Sequence, residues 1–325
     1  IERRTDHLIH QNEFNTLRGW LERLPAQMIA QSFQAAFLYT TYYAALGRFD
    51  LSRQWLEKAK ERAAGPLYAN DPEWSKHISI ECALSEANLM IREGNEDALA
   101  MVVKAAALND DGRFAMPEYF DINTADIYCV RCPFGKSVEL FGKDRGRFEA
   151  AMERYRELIS VNPGYTPLEA GECLYESNRL EEALPYLFKA LEEARAAGCA
   201  GALVPAMVCL ARLRRAKGDL AGAYEALDEC EGELRAIGKP HWNYLVSAFR
   251  CRLDIERGAA ERVEAWFSSR KLDAYSKISP VNEFELIVYA RALCFKGRAD
   301  GAKLLLERLL AYARDAGRQH SMLEV

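Results

Sequence analysis

Apolar residues recur at helical spacing along almost the whole chain, and the pattern is punctuated by one repeated unit. An apolar-rich helix runs into a reversal centred on Gly, and a second, amphipathic helix follows. The reversal reads Leu46-Gly47-Arg48-Phe49-Asp50, Glu93-Gly94-Asn95-Glu96-Asp97 and Arg145-Gly146-Arg147-Phe148-Glu149. It continues as Ser177-Asn178-Arg179-Leu180-Glu181, Lys217-Gly218-Asp219-Leu220, Arg257-Gly258-Ala259-Ala260 and Lys296-Gly297-Arg298-Ala299. Successive turn residues lie 47, 52, 32, 40, 40 and 39 positions apart, so the C-terminal half is regular and the middle is not. Gly and Asn share the tolerance of left-handed backbone that lets a helix end and the chain reverse.

Two further columns hold the same register. Seven residues before the turn the side chain is small: Thr40, Ala87, Gly171, Ala211, Cys251 and Ala290. Five residues after it stand Ser52, Leu99, Ala151, Ala183, Ala223, Val263 and Ala302, again mostly small. Small residues there let the two helices of a unit approach closely. An irregular helical bundle would not align such columns. The pattern predicts an all-α fold, a right-handed superhelix of tetratricopeptide-like helix-turn-helix repeats, with the usual period of about 34 lengthened to about 40. It predicts one superhelical domain over 1–325, with N-terminal repeats in 1–108 and regular C-terminal repeats in 164–325.

Between these, 109–163 reads as an irregular, aromatic-rich insertion. Asp110-Asp111-Gly112, Met116-Pro117 and Cys132-Pro133-Phe134-Gly135 are turn signals, and Tyr119 to Tyr128 lacks a clear helical period. Its aromatics (Phe114, Tyr119, Phe120, Tyr128, Phe134) disfavour disorder, so the segment is expected to pack against the superhelix.

A third column carries chemistry. Six residues before the turn the side chain is polar: Thr41, Asn88, Glu172, Arg212, Arg252 and Arg291. In tetratricopeptide geometry this position faces the concave groove, and three successive arginines there form a positive stripe. Arginine suits bidentate recognition of carboxylate or phosphate. Guanidinium groups on neighbouring helices repel one another unless counter-charged, so the stripe points to an anionic ligand or an acidic partner segment. Glu172 would cap the stripe, and Tyr165, Tyr175 and Phe284 would add apolar contact, with aromatic walls from 109–163. The alternative is that each arginine pairs with a nearby carboxylate such as Asp254 or Glu256.

Other motifs carry little. Phe134-Gly135-Lys136-Ser137 resembles the end of a phosphate-binding loop, but the position that should be the first Gly is Val130. Cys129-Val130-Arg131-Cys132 has zinc-ligand or redox spacing without a second ligand pair or a βαβ context. The five histidines do not cluster, and carboxylate pairs such as Glu181-Glu182 and Glu192-Glu193 read as solvated helix faces. No cofactor, metal site or catalytic role is expected.

Composition agrees. Ala, Leu, Glu and Arg, all good helix formers, dominate most segments. The net charge of −5 argues against nucleic-acid binding by this chain. Nine scattered cysteines, an odd number, suit a reducing, cytoplasmic compartment. The longest apolar run, Ala35 to Leu46, is well short of the roughly 20 residues of a membrane span. A start at Ile1 rather than Met suggests a piece of a longer protein.

Leu17-Arg18-Gly19-Trp20-Leu21-Glu22-Arg23-Leu24-Pro25, followed by an apolar helix and Leu46-Gly47-Arg48-Phe49-Asp50-Leu51-Ser52-Arg53-Gln54-Trp55-Leu56, resembles the opening of a known repeat domain. That domain belongs to large LuxR-type bacterial transcription regulators of the maltose-regulator (MalT-like) kind. The resemblance continues through the 40-residue repeats. It implies an ATP-binding signalling domain before this segment, inducer sensing within it, and a DNA-binding helix-turn-helix after it, neither flanking domain being present here. The expected partner is therefore a small-molecule inducer or an acidic peptide or protein segment, with self-association possible and DNA contacted only through the missing domain. A stand-alone tetratricopeptide scaffold for protein–protein interaction is the alternative.

Overall fold

A computed structural model describes residues 19–45, 48–65, 71–93, 95, 97–109, 127–128, 136–158, 164–279, 282–315 and 318–325. Among these residues the regular secondary structure is entirely helical. Two compact units are distinguished. The first comprises 1–124 with 136–166, and the second 125–135 with 167–325.

In the first unit the helices are α1 (Ala26–Gln31), α2 (Phe33–Ala45), α3 (Phe49–Ala63), α4 (Pro72–Glu93), α5 (Asp97–Leu108), α6 (Lys136–Lys143) and α7 (Arg145–Leu158). The helix α8 (Tyr165–Glu176) begins at the unit boundary, and its residues from Pro167 onward belong to the second unit. There follow α9 (Leu180–Ala197), α10 (Ala200–Ala216), α11 (Leu220–Ala236), a 3-10 turn (Pro240–Trp242), α12 (Asn243–Arg257), α13 (Ala260–Ser269), α14 (Glu283–Phe295), α15 (Ala299–Asp315) and α16 (Gln319–Glu324). Consecutive helices fold back on each other: α2 on α3 and α4 on α5 in the first unit, α10 on α11, α12 on α13 and α14 on α15 in the second.

One backbone hydrogen bond closes nearly every turn. The residue after the turn position donates its N–H to the carbonyl five residues back: Arg179 to Leu174, Asp219 to Arg214, Ala259 to Asp254 and Arg298 to Leu293, at 2.8–2.9 Å. Such a closure needs left-handed backbone at the residue between. Asn178 (φ 57°), Gly218 (83°), Gly258 (74°) and Gly297 (69°) supply it. In the first unit the same bond joins Arg48 to Tyr43 at 2.9 Å and Asn95 to Met90 at 3.0 Å. Gly198 and Gly238, also left-handed and 40 residues apart, repeat the device between one helix pair and the next.

The two packing columns are buried throughout. Thr40, Ala87, Gly171, Ala211, Cys251 and Ala290 are all inside, as are Ser52, Leu99, Ala151, Ala183, Ala223, Val263 and Ala302. They meet across the turn: Ser52 Oγ donates to the Thr40 carbonyl at 2.9 Å, joining one column to the other. A Cβ at Gly171 would come within 2.9 Å of Leu187 Cδ2, so the column must stay small there.

Two expectations are corrected. Arg145-Gly146 is not a turn of the repeated kind. Asp144 breaks the chain between α6 and α7, and its Oδ1 accepts the N–H of Arg147 at 2.9 Å. An N-cap carboxylate starts a helix more effectively than a Gly inside it would end one. The stretch 109–163 is also not irregular throughout, because α6 and α7 span 136–158 and bury Leu140, Phe141, Phe148 and Ala151. The short segments between breaker residues still carry apolar faces, and tertiary packing makes them helical. Phe114, Tyr119, Phe120, Cys129, Cys132, Phe134 and Gly135 lie outside the described residues.

Candidate functional site

The first helices of the second unit's repeats, α8, α10, α12 and α14, carry the polar column on one turn each. Between α8, α10 and α12 lies a pocket of about 300 Å³, lined by Tyr175, Glu176, Asn178, Leu180, Arg212, Arg215, Ala216, Phe249 and Arg252. Three of these are cations and one is a carboxylate.

Arg212 is only 6% exposed. Its guanidinium lies between two aromatic rings, 4.5 Å from the Tyr128 centroid and 4.2 Å from that of Tyr175. Nη2 donates to Glu176 Oε1 at 2.7 Å. Burial works against the charge, but Tyr128, Glu176 and Tyr175 outweigh it, and the guanidinium is held above its ordinary pKa. Tyr128 comes from the aromatic-rich stretch, which thus supplies one wall beside the stripe.

Arg252 is less enclosed. Its Nη1 donates to both oxygens of Glu324, at 3.1 and 3.2 Å, and Glu256 lies at 3.8 Å. Burial opposes its charge too, and Tyr128, Glu324 and Glu256 together raise its pKa. Arg291 Nη2 donates to the backbone carbonyl of Glu324 at 3.0 Å. Arg215, a pocket residue outside the column, pairs with Glu256 at 2.6 Å.

Arg212 and Arg252 line one pocket and Arg291 shares Glu324 with Arg252, but these charges are not left uncompensated. Glu176, Glu256 and Glu324 oppose them within the second unit, which is the pairing alternative anticipated from sequence. Mutual repulsion of the guanidinium groups therefore does not by itself call for an external anion. The named carboxylates were only partly the right ones, since Asp254 accepts from Tyr224 at 2.7 Å and faces Arg262 instead. The column is also not uniformly groove-facing. Glu172 is fully buried and cannot cap an exposed stripe. Phe284 is 8% exposed, packed edge-on to Tyr128 and stacked near Phe249, so it supports the wall from within the core. Tyr165 is buried and falls in the first unit, as does Asn88 on α4. Thr41 Oγ1 bonds the Phe37 carbonyl of its own helix at 3.2 Å.

Sequence inspection missed Arg215, Glu176 and Glu324. A signal existed for the first two: Glu176 and Glu256 each stand two residues before a turn, where they meet arginines of the neighbouring repeat. Nothing in the periodicity marked Glu324, which reaches the stripe from α16.

Other chemistry is sparse. Among the described residues no three His, Cys, Asp or Glu side chains are placed to share a metal ion. Burial pushes the Cys82 and Cys251 thiols up to about 12 and the Cys173 and Cys230 thiols higher still, so they behave as apolar core groups rather than nucleophiles. The carboxylates Glu181 and Glu182 are exposed and pair with Lys217 and Arg179.

Residues 145–325, from α7 to α16, match the family described as MalT-like TPR region. This chain belongs to that family. The match contains the arginine stripe, the pocket and α16. No curated protein matches the chain significantly. MalT-like TPR regions are helical-repeat modules of a generally non-catalytic kind. Among the described residues no helix is long and apolar enough to cross a membrane.

Proposed function

We propose that this chain is the sensing repeat domain of a LuxR-type transcription regulator, acting in the cytoplasm and binding its ligand on the first-helix face of the second unit. The single observation that supports this is the pocket between α8, α10 and α12, where Arg212, Arg215 and Arg252 meet Tyr175 and Phe249. Ligand sites combine apolar walls with a few fixed polar groups, and this lining has both. The domain recognises and does not catalyse. DNA and ATP are handled by other parts of the parent regulator.

Calorimetric titration with a panel of small anions (sugar phosphates, di- and tricarboxylates) and with acidic peptides tests the reading. At least one is expected to bind saturably, and to lose about tenfold or more in affinity in Arg252→Gln and Tyr175→Ala, a cost of about 1.4 kcal/mol or more. Absence of saturable binding, or binding by both variants as tight as by the wild type, overturns it. The parent reading frame is expected to encode an ATP-binding domain before this segment and a helix-turn-helix after it.

A further inference from the structure

The pocket and the C-terminal helix share one residue. Arg252 lines the pocket, and its Nη1 is held by Glu324 of α16. The anchors of α16 are mostly polar. Beyond the Arg252 pair, Arg291 Nη2 bonds the Glu324 carbonyl, Arg318 at the start of the helix pairs with Glu283, and His320 packs edge-on to Tyr128. Leu323, the residue before Glu324, is 84% exposed, and Met322 and Val325 beside it are only half-buried.

The three pocket arginines differ in how firmly they are engaged. Arg212 is clamped by two rings and Glu176 and is almost fully buried, so it provides a fixed positive charge. Arg215 pairs with Glu256, whose side chain is 41% exposed and thus screened by water. Arg252 is held by a carboxylate on a helix of six residues. Two buried donors here, Arg212 Nη1 and Arg252 Nε, have no hydrogen-bond acceptor. The lining itself carries three cations and one carboxylate, and Glu256 and Glu324 balance Arg215 and Arg252 from outside it. A volume of about 300 Å³ suits a small molecule, whereas a helix with its side chains is roughly 10–12 Å across.

We propose that the pocket binds a small anion through carboxylate or phosphate oxygens, and that Glu324 is its built-in competitor. The anion takes Arg252 from Glu324, one charge-assisted bond replacing another, and α16 is released as the pocket fills. Occupancy of the pocket is thereby read out at the C-terminal helix. This rests on the groove being the ligand site, and it adds both the class of ligand and the moving part.

The test uses the full chain with succinate and inorganic phosphate as probes, which separates carboxylate from phosphate recognition. Affinities are measured by calorimetry for the wild type, Glu324→Gln, Glu324→Ala and Arg252→Gln, and amide hydrogen exchange is followed over 319–324. If Glu324 holds Arg252 for roughly nine-tenths of the time, removing its charge tightens the better probe about tenfold. Arg252→Gln loses that binding, with or without the Glu324 change. Saturating probe speeds exchange over 319–324 in the wild type towards the rate of Glu324→Gln. Unchanged affinity in both Glu324 variants, or unchanged exchange over 319–324 at saturation, overturns the competitor while Arg252-dependent binding leaves the groove reading standing. Failure of both probes to bind any variant overturns the small-anion class; binding of an acidic peptide alone in the wider panel would then mark the groove as a peptide site.

Discussion

The two compact units obey one packing rule and differ in one column. In both, small residues seven before and five after the turn are buried, and the Ser52–Thr40 bond of the first unit joins the same two positions that Ala223 and Ala211 occupy in the second. The turns close through the same backbone bond in both. Six residues before the turn they diverge. Thr41 bonds its own helix in the first unit, whereas in the second Arg212 and Arg252 are ion-paired and Arg291 bonds the Glu324 backbone carbonyl. Packing is thus a property of the repeat, and chemistry a property of particular repeats. Ion pairs also reach between repeats, from Arg212 to Glu176 and from Arg215 to Glu256, so arginines that tie one repeat to the next also line the pocket.

The sharpest break in this comparison comes from the divergent column. Arg212→Met leaves Glu176 facing a buried apolar group and empties the space between Tyr128 and Tyr175. Removing one partner of a buried pair costs about 3–5 kcal/mol, towards the lower figure here because Glu176 retains some exposure. Thr41→Val, at the same register in the first unit, changes stability by roughly 0.5 kcal/mol or less. Urea denaturation followed by circular dichroism measures both, and equal effects would erase the distinction between the columns.

The shared column should respond alike in both units. Ala211→Leu and Ala87→Leu each overpack a site with no exposed surface and should cost about 1–3 kcal/mol. Tolerance of one but not the other, seen in the same denaturation assay, would show that the register is not common. A smaller effect is expected for Ser52→Ala, which leaves the buried Thr40 carbonyl without that donor and costs about 1 kcal/mol.

The smallest effect concerns pH. Glu285, buried on α14, has its carboxyl pKa raised by burial, with Arg270 only partly opposing. Folding therefore favours the protonated form. Its contribution becomes less favourable as pH rises from the ordinary carboxylate value through the raised one, and it recovers as pH falls. Glu285→Gln should gain stability relative to wild type at pH 7, and the gain should shrink on acidification. A pH-independent difference between the two in paired melting curves would contradict this sign.

Much of the fold was legible because its signals are local. A left-handed turn residue and two small columns at fixed offsets suffice to register a helix pair, and the structure places these columns inside. Asp144 shows the limit, since a capping carboxylate overrode a Gly that matched the pattern. The site was legible only as a column. Which arginines are clamped and which exchangeable depends on partners far away in sequence, such as Tyr128 for Arg212 and Glu324 for Arg252, and no period encodes those. Glu172, Phe284 and Arg212 were expected on the same groove as Arg252 yet are buried, and Tyr128, from outside the repeats, packs against both Phe284 and Arg212.

The claim that recognition is confined to the charged column of the second unit can be tested by hydrogen-exchange mapping with the tightest-binding anion from the calorimetric panel. Slowed exchange is expected in the last turns of α8, α10 and α12, around Glu176, Arg215 and Arg252, with no change around Thr41 and Asn88. Slowing centred on α2 or α4, or spread evenly over both units, would contradict it.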